Sequence, residues 1–181
     1  PAVSSSIHGD FVVGWQSADA DNTGIVARVF NASNRKLTDE LALNSTTTGA
    51  QGNLSLAMSP LGSFVAAWES PDADGTGIVA RRFNADGTAA GGEIAVNTTT
   101  TGDQADPVVA VDATGRFVVA FGSGEDVIGR RFAADGTALA GEFTVNTTTA
   151  GVQASPALAI TRDGQFVIGW EGPDADGTGI F

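Results

Sequence analysis

The 181 residues carry 21 acidic against 9 basic side chains, for a formal net charge of −12, and they contain no cysteine. So acidic a surface repels nucleic acid and anionic membranes, suits cations, neutral sugars or a salty milieu, and leaves no disulfide to stabilise the fold. Apolar residues make up 42% of the chain, enough for a core and too many for a disordered polymer, and no apolar run approaches the roughly 20 residues of a membrane span. The chain begins at Pro1 rather than Met and carries no signal-peptide pattern, so a processed chain or a piece of a longer one is expected.

In chain order, the first apolar run is "FVVGW" from Phe11, followed by the acidic loop "SADADNTG" and the strand "IVARVF" ending at Phe30. The same sentence returns from Phe64 as "FVAAW", then "SPDADGTG" and "IVARRF" to Phe83. The third copy is the plainest. It reads "PVVAV", turn "DATG", "FVVAF" from Phe117, a shortened loop, "VIGRRF" to Phe132, turn "AADGTALAG", then "EFTVN". A fourth copy starts with "FVIGW" at Phe166 and runs into "GPDADGTGIF". The opening phenylalanines are spaced 53, 53 and 49 residues apart, and Glu40, Glu93 and Glu142 keep the phase, as do Asn44, Asn97 and Asn146 and Gln51, Gln104 and Gln153. The short third spacing comes from four residues missing between Phe121 and Val127, which marks that segment as a surface loop.

The units therefore fall at about 1–53, 54–106, 107–155 and an incomplete 156–181, together one repeat domain. Each full unit offers four strands, A to D, separated by Asp-Gly, Thr-Gly and Ala-Gly punctuation that suits hairpins. Strand B is apolar on both alternating sides (Phe64, Ala66 and Trp68; Val65 and Ala67), so both of its faces must be covered. Strand C is mixed, and strand D ends in polar "NTTT". A four-stranded antiparallel sheet graded from apolar to polar, and stacked on copies of itself, is a propeller blade. The expected fold is thus all-β, with about 3.5 propeller-type blades. The alternatives, an open β array or separate β-sandwiches, explain the two-sided strand B less well. A ring of blades would close through further blades of a longer chain or through a homo-oligomer.

The run "DGTGIVARRFNADGTAAGGEIAVNTTTTGDQADPVVAV", continued by "GRFVVAF", resembles repeats of very large secreted bacterial proteins, including calcium-associated exoproteins and adhesins of Gram-negative organisms. The resemblance spans nearly the whole chain. This sequence departs from it in reading Ala-Arg-Arg where Ala-Gln-Arg is common, and in lacking an aromatic in the acidic loop. The resemblance implies an extracellular or cell-surface location.

In a propeller the B–C and D–A loops emerge together at one end, so one face gathers the acidic loops and the Thr-rich connections. Asp19 and Asp21, Asp72 and Asp74, and Asp174 and Asp176 supply carboxylates two residues apart next to glycine, which is oxygen-ligand chemistry for calcium. The same residues make Asx turns without an ion, and no bidentate Glu follows at the EF-hand position. Asp86 and Asp135 read as hairpin turns. Trp15, Trp68, Phe121 and Trp170 could form sugar platforms, or could end strand B and seal blade to blade. Arg81, Arg82, Arg130 and Arg131 could bind a carboxylate ligand, or could pair with Glu93, Glu142 or other blade carboxylates. The three Gln side chains suit hydrogen bonds to loop backbone, and Asn44, Asn97 and Asn146 suit a polar outer strand with Thr ladders, although each formally heads a glycosylation triplet. His8 is the only histidine and has no counterpart in the other units, and neither a nucleophile elbow nor zinc spacing occurs. The expected function is a non-enzymatic scaffold presenting one loop face to a protein or glycan; the alternative is a lectin-like propeller with a weak site per blade.

Overall fold

The computed structural model describes residues 1–174 and 176–181. The first sheet holds β1 (Ala2–Ser5), β2 (Phe11–Ala18), β3 (Thr23–Phe30) and β4 (Leu41–Ala42). The second holds β5 (Gly52–Met58), β6 (Phe64–Pro71), β7 (Thr76–Phe83) and β8 (Ile94–Ala95). The third holds β9 (Gln104–Val111), β10 (Phe117–Ser123), β11 (Asp126–Phe132) and β12 (Phe143–Thr144). The fourth holds β13 (Ala154–Ile160), β14 (Phe166–Asp174) and β15 (Gly177–Ile180). Strands are hydrogen-bonded in chain order within every sheet, and every pair is antiparallel. The architecture is all-β and propeller-type, three four-stranded blades and a three-stranded fourth. Among the described residues no helix is long and apolar enough to cross a membrane.

Why strand B must be apolar on both sides is visible in the packing. One side of the second blade (Phe64, Ala66, Trp68 and Phe83) packs on Val12, Ile25, Ala27, Val29 and Leu43 of the first. The opposite side (Val65, Ala67, Ile78, Ala80 and Val96) packs on Phe117, Val119, Phe121 and Phe132 of the third. Each blade thus has a leading face, rich in aromatics, and a trailing face of smaller aliphatics. The core is the series of sandwiches between them. The inner strands β1, β5, β9 and β13 adjoin one another and set the axis.

Turn chemistry follows residue by residue. The C–D turn needs a left-handed residue, supplied by Gly87 (φ 83°) and Gly136 (φ 90°) and, in the first unit, by Asn34 (φ 60°). Asn is among the few side-chain-bearing residues that tolerate this region. Asp86 Oδ1 accepts from the Thr88 amide at 2.9 Å and its hydroxyl at 2.6 Å, and Asp135 Oδ1 accepts from the Thr137 amide at 2.8 Å. Both are the hairpin turns expected.

Three expectations are adjusted by the structure. Strand D is only two residues long, so the Asn-Thr-Thr stretches are not an outer ladder but a bend that follows it. Strand B runs on beyond its aromatic into the loop, to Ala18, Pro71 and Asp174. Inner strands begin at Gly52, Gln104 and Ala154, so the sequence boundaries cut each near its start.

Candidate functional site

The B–C and D–A loops do share one end of the blades. Asp21 Oδ2 accepts from the Gly49 amide at 2.8 Å, and Asp103 Oδ1 accepts from the Thr76 amide at 3.0 Å, joining one loop type to the other. The leading Asp of each pair closes an Asx turn. Asp19 Oδ1 accepts from the Asp21 and Asn22 amides, Asp72 Oδ1 from Asp74, and Asp174 Oδ1 from Asp176. Among the described residues no group of three or more His, Cys, Asp or Glu side chains is placed to share an ion. The third unit clarifies what the carboxylate does. Its loop is gone, yet Asp126 takes the Asn146 amide at 2.7 Å, as Asp72 Oδ2 takes that of Asn97 at 3.4 Å. In the third unit Asp126 Oδ1 stands where Gln104 Oε1 serves Asn97, while Gln153 Oε1 accepts from Trp170 Nε1 instead.

That asparagine is the centre of a buried clasp. Asn97 Oδ1 accepts from the Ile78 amide at 2.7 Å, and Asn97 Nδ2 donates to the Thr99 carbonyl at 2.9 Å and Gln104 Oε1 at 2.8 Å. Gln104 Nε2 in turn reaches the Gly102 carbonyl at 3.1 Å. Asn44 with Gln51 repeats the arrangement, and Asn146 keeps the Val127 amide and the Thr148 carbonyl. All six side chains are buried. They stitch strand C to the bend after strand D, so the glutamines bond loop backbone as expected. The asparagines are too buried to accept a sugar.

The arginines do not pair with Glu93 or Glu142. Arg81 Nη1 donates to the Leu43 carbonyl of the preceding blade at 2.9 Å, and Arg130 Nη1 to the Val96 carbonyl at 2.6 Å. Arg82 caps the Ala134 and Ala90 carbonyls at 2.6 and 2.7 Å. The Arg131 side chain makes no hydrogen bond among the described residues, while its carbonyl accepts from the Leu139 amide at 2.9 Å. Glu93 instead grips the preceding blade, accepting from the Thr46 amide at 3.1 Å and its hydroxyl at 2.7 Å, and Glu142 accepts from the Thr98 amide. Burial works to raise the Glu93 carboxyl, but the Thr46 and Ser45 donors outweigh it and hold it below its ordinary value.

Among the aromatics, Trp68 and Phe121 are each 1% exposed and seal the blade interfaces, which removes them as sugar platforms. Trp15 and Trp170, on the first and fourth blades, are half-buried, and Trp170 Nε1 donates to Gln153 Oε1 at 3.1 Å. His8 is exposed in an A–B turn, at the end opposite the loop face.

One feature of the loop face escaped the sequence reading. Near the start of β5, β9 and β13, the inner strands of the second to fourth blades, lies a non-glycine residue in the left-handed region, namely Asn53 (φ 46°), Asp106 (φ 52°) and Ser155 (φ 51°). The ladder slips at the same place, between Gly52 and Ser55 and between Ala154 and Ala157, which is a bulge. The three exposed side chains and Leu54, Pro107, Val108 and Pro156 line a shallow axial depression of about 330 Å³. Glu69 Oε1 spans two blades there, accepting from Asn53 Nδ2 at 2.7 Å and from the Asp106 amide at 2.9 Å. The available signal was a polar residue two positions after each repeated Gln.

No family model matches this sequence, and no curated protein does. Among solved structures it is similar to an endo-arabinase from Bacteroides thetaiotaomicron, with a TM-score of 0.52 at 12% identity over 96% of this chain and 70% of that one. It is also similar to a Hadza microbial sialidase, with a TM-score of 0.56 at 16% identity over 90% of this chain and 43% of that one. At such identities the likeness shows the fold, which is propeller-type in both.

Proposed function

We propose that the protein is a non-catalytic extracellular scaffold of bacterial origin whose loop face holds a glycan at the axial depression. The observation that carries this reading is the ring of Asn53, Asp106 and Ser155. Left-handed backbone at non-glycine residues costs on the order of 1–3 kcal/mol each, and such strain concentrates where side chains are aimed at a ligand. Here it aims an amide, a carboxylate and a hydroxyl over an apolar floor of Leu54, Pro107 and Pro156, a mix that suits a sugar with hydroxyls on one side and C–H groups on the other.

The repeated polar residues support the reading from the other direction. The repeated Asn and Gln, with Arg81, Arg82, Arg130, Glu93 and Glu142, are engaged in clasps and blade contacts. A lectin with one aromatic site per blade is favoured less, because Trp68 and Phe121 are inside. The two propeller neighbours are named for action on carbohydrates, which agrees with a glycan ligand. The net charge favours neutral sugars over anionic ones.

A glycan array followed by calorimetry tests it, using the parent chain and Asn53→Gly and Asp106→Gly variants. Glycine occupies left-handed backbone without strain, so both variants stay folded. Expected is binding of neutral oligosaccharides by the parent and at least a tenfold loss in either variant. A parent that binds no glycan, or variants that bind equally well, would overturn the assignment.

A further inference from the structure

The first blade carries a complete set of grips with nothing in them. In the second blade the leading face seats on the first through three devices. They are the stacked Phe64–Phe83 pair with Trp68, Arg81 on the Leu43 carbonyl, and Glu93 on Ser45 and Thr46. The third blade repeats them on the second, with Phe117–Phe132 and Phe121, Arg130 on Ala95 and Val96, and Glu142 on Thr98. At the same phase the first blade presents Phe11, Trp15, Arg28, Phe30 and Glu40. Phe11 and Phe30 already stack at 5.0 Å and 10°, against 4.8 and 4.7 Å in the covered pairs, so the surface is formed in advance. The Arg28 side chain donates no hydrogen bond among the described residues, whereas Arg81 and Arg130 each donate Nη1 to the preceding blade, and Asp39 feels the Arg28 guanidinium only through space. Glu40 is exposed and accepts nothing among them.

We propose that this face is a docking surface for the trailing side of another blade of the same repeat type. The occupant is defined by what the grips need: aliphatics on the trailing face, a short outer strand with free carbonyls, and an Asn-Ser/Thr-Thr bend with free amides and a hydroxyl.

The periodicity allows a direct test. Residues 54–106 are duplicated immediately ahead of Pro1, where Asp106 precedes Pro1 in the phase in which it precedes Pro107, and a second extension uses residues 107–155. Arg28→Ala and Glu40→Gln are then introduced into the 181-residue chain and into both extended chains. Expected is a change within about 1 °C in the short chain but a loss of about 3–8 °C for Arg28→Ala in the extended ones, similar to that of Arg81→Ala in either. Trp15 becomes shielded from acrylamide in the extended chains only. The proposal is overturned if Arg28→Ala is neutral throughout, if Trp15 stays quenchable, or if neither extended chain folds while the short one does. It is equally overturned if the short chain self-associates at micromolar concentration and thereby buries Trp15, because the face then belongs to a second copy.

Discussion

Asn97 illustrates what a single side chain at fixed phase is required to do. Its oxygen takes an amide from strand C and its nitrogen fixes Gln104, both away from water, and the same nitrogen holds the bend at Thr99. Truncation leaves the Ile78 amide and Gln104 Oε1 unsatisfied in a dry site, and each such group costs about 1–3 kcal/mol. Asn97→Ala is therefore expected to lose about 2–4 kcal/mol in urea unfolding, whereas Asn84→Ala, in an exposed turn, loses far less. Titration acts at the same scale. Asp112 is 1% exposed, and burial works to raise it, but the Thr114 hydroxyl, the Arg116 guanidinium at 2.7 Å and two amides prevail and hold it below its ordinary value. A depressed carboxyl contributes stability that is complete above its unfolded value, about 4, and is lost as pH falls through the lower folded value. Midpoints measured from pH 6 to pH 2 should fall below about pH 4, and Asp112→Asn should lower the plateau and flatten that fall. An unchanged slope would show that Asp112 does not carry it.

At the scale of the element, paired positions compensate one another. Strand C has Ala27 and Ala80 where the third blade has Gly129, and strand D has Leu41 and Ile94 where the third blade has Phe143. A methyl group on Gly129 would collide with the Phe143 ring, which itself lies 6.2 Å from Phe166 of the next blade. Gly129→Ala is expected to cost about 1–3 kcal/mol by overpacking. The double variant with Phe143→Ile should recover most of it, and a double-mutant cycle with no coupling would refute the pairing. Strands B and C were legible in the sequence because a repeated β-branched, apolar run bounded by aromatics is a strong signal, and their turns because glycine marked them. Strand D was overread because the Asn-Thr-Thr composition looks extended; burial of the asparagine is a tertiary fact that no local pattern carries. The site suffered in the same way. The acidic loops drew attention by composition, while Asn53, Asp106 and Ser155 gain their meaning only from backbone angles and from meeting around an axis. If the acidic loops hold calcium in solution, removing it must lower the melting midpoint, since a ligand that binds only the folded state stabilises it. Because Asp19 and Asp72 already cap turns, and no third His, Cys, Asp or Glu among the described residues joins either pair, a chelator is expected to leave the midpoint unchanged.

The molecule as a whole behaves as a line of blades in which each interface is a separate contribution, close to the nearest-neighbour arithmetic of repeat proteins. The same tryptophan at the same phase should then have a different weight at each station. Trp68 is enclosed between two blades, and replacing it with Ala removes a full aromatic from a packed interface, a loss of about 3–5 kcal/mol. Trp15 has its leading side open, so Trp15→Ala should cost a small fraction of that and leave the unfolding transition sharp. Trp170 falls between, because it packs toward the third blade and keeps a bond to Gln153, while the sheet behind it leaves Val167 66% exposed. Urea titrations of the three variants, followed by far-ultraviolet circular dichroism, should rank them Trp68, Trp170, Trp15 from most to least damaging. Equal losses would mean that the blades share one undivided core, and the distinction between covered and open faces, with the docking role drawn from it, would then fail.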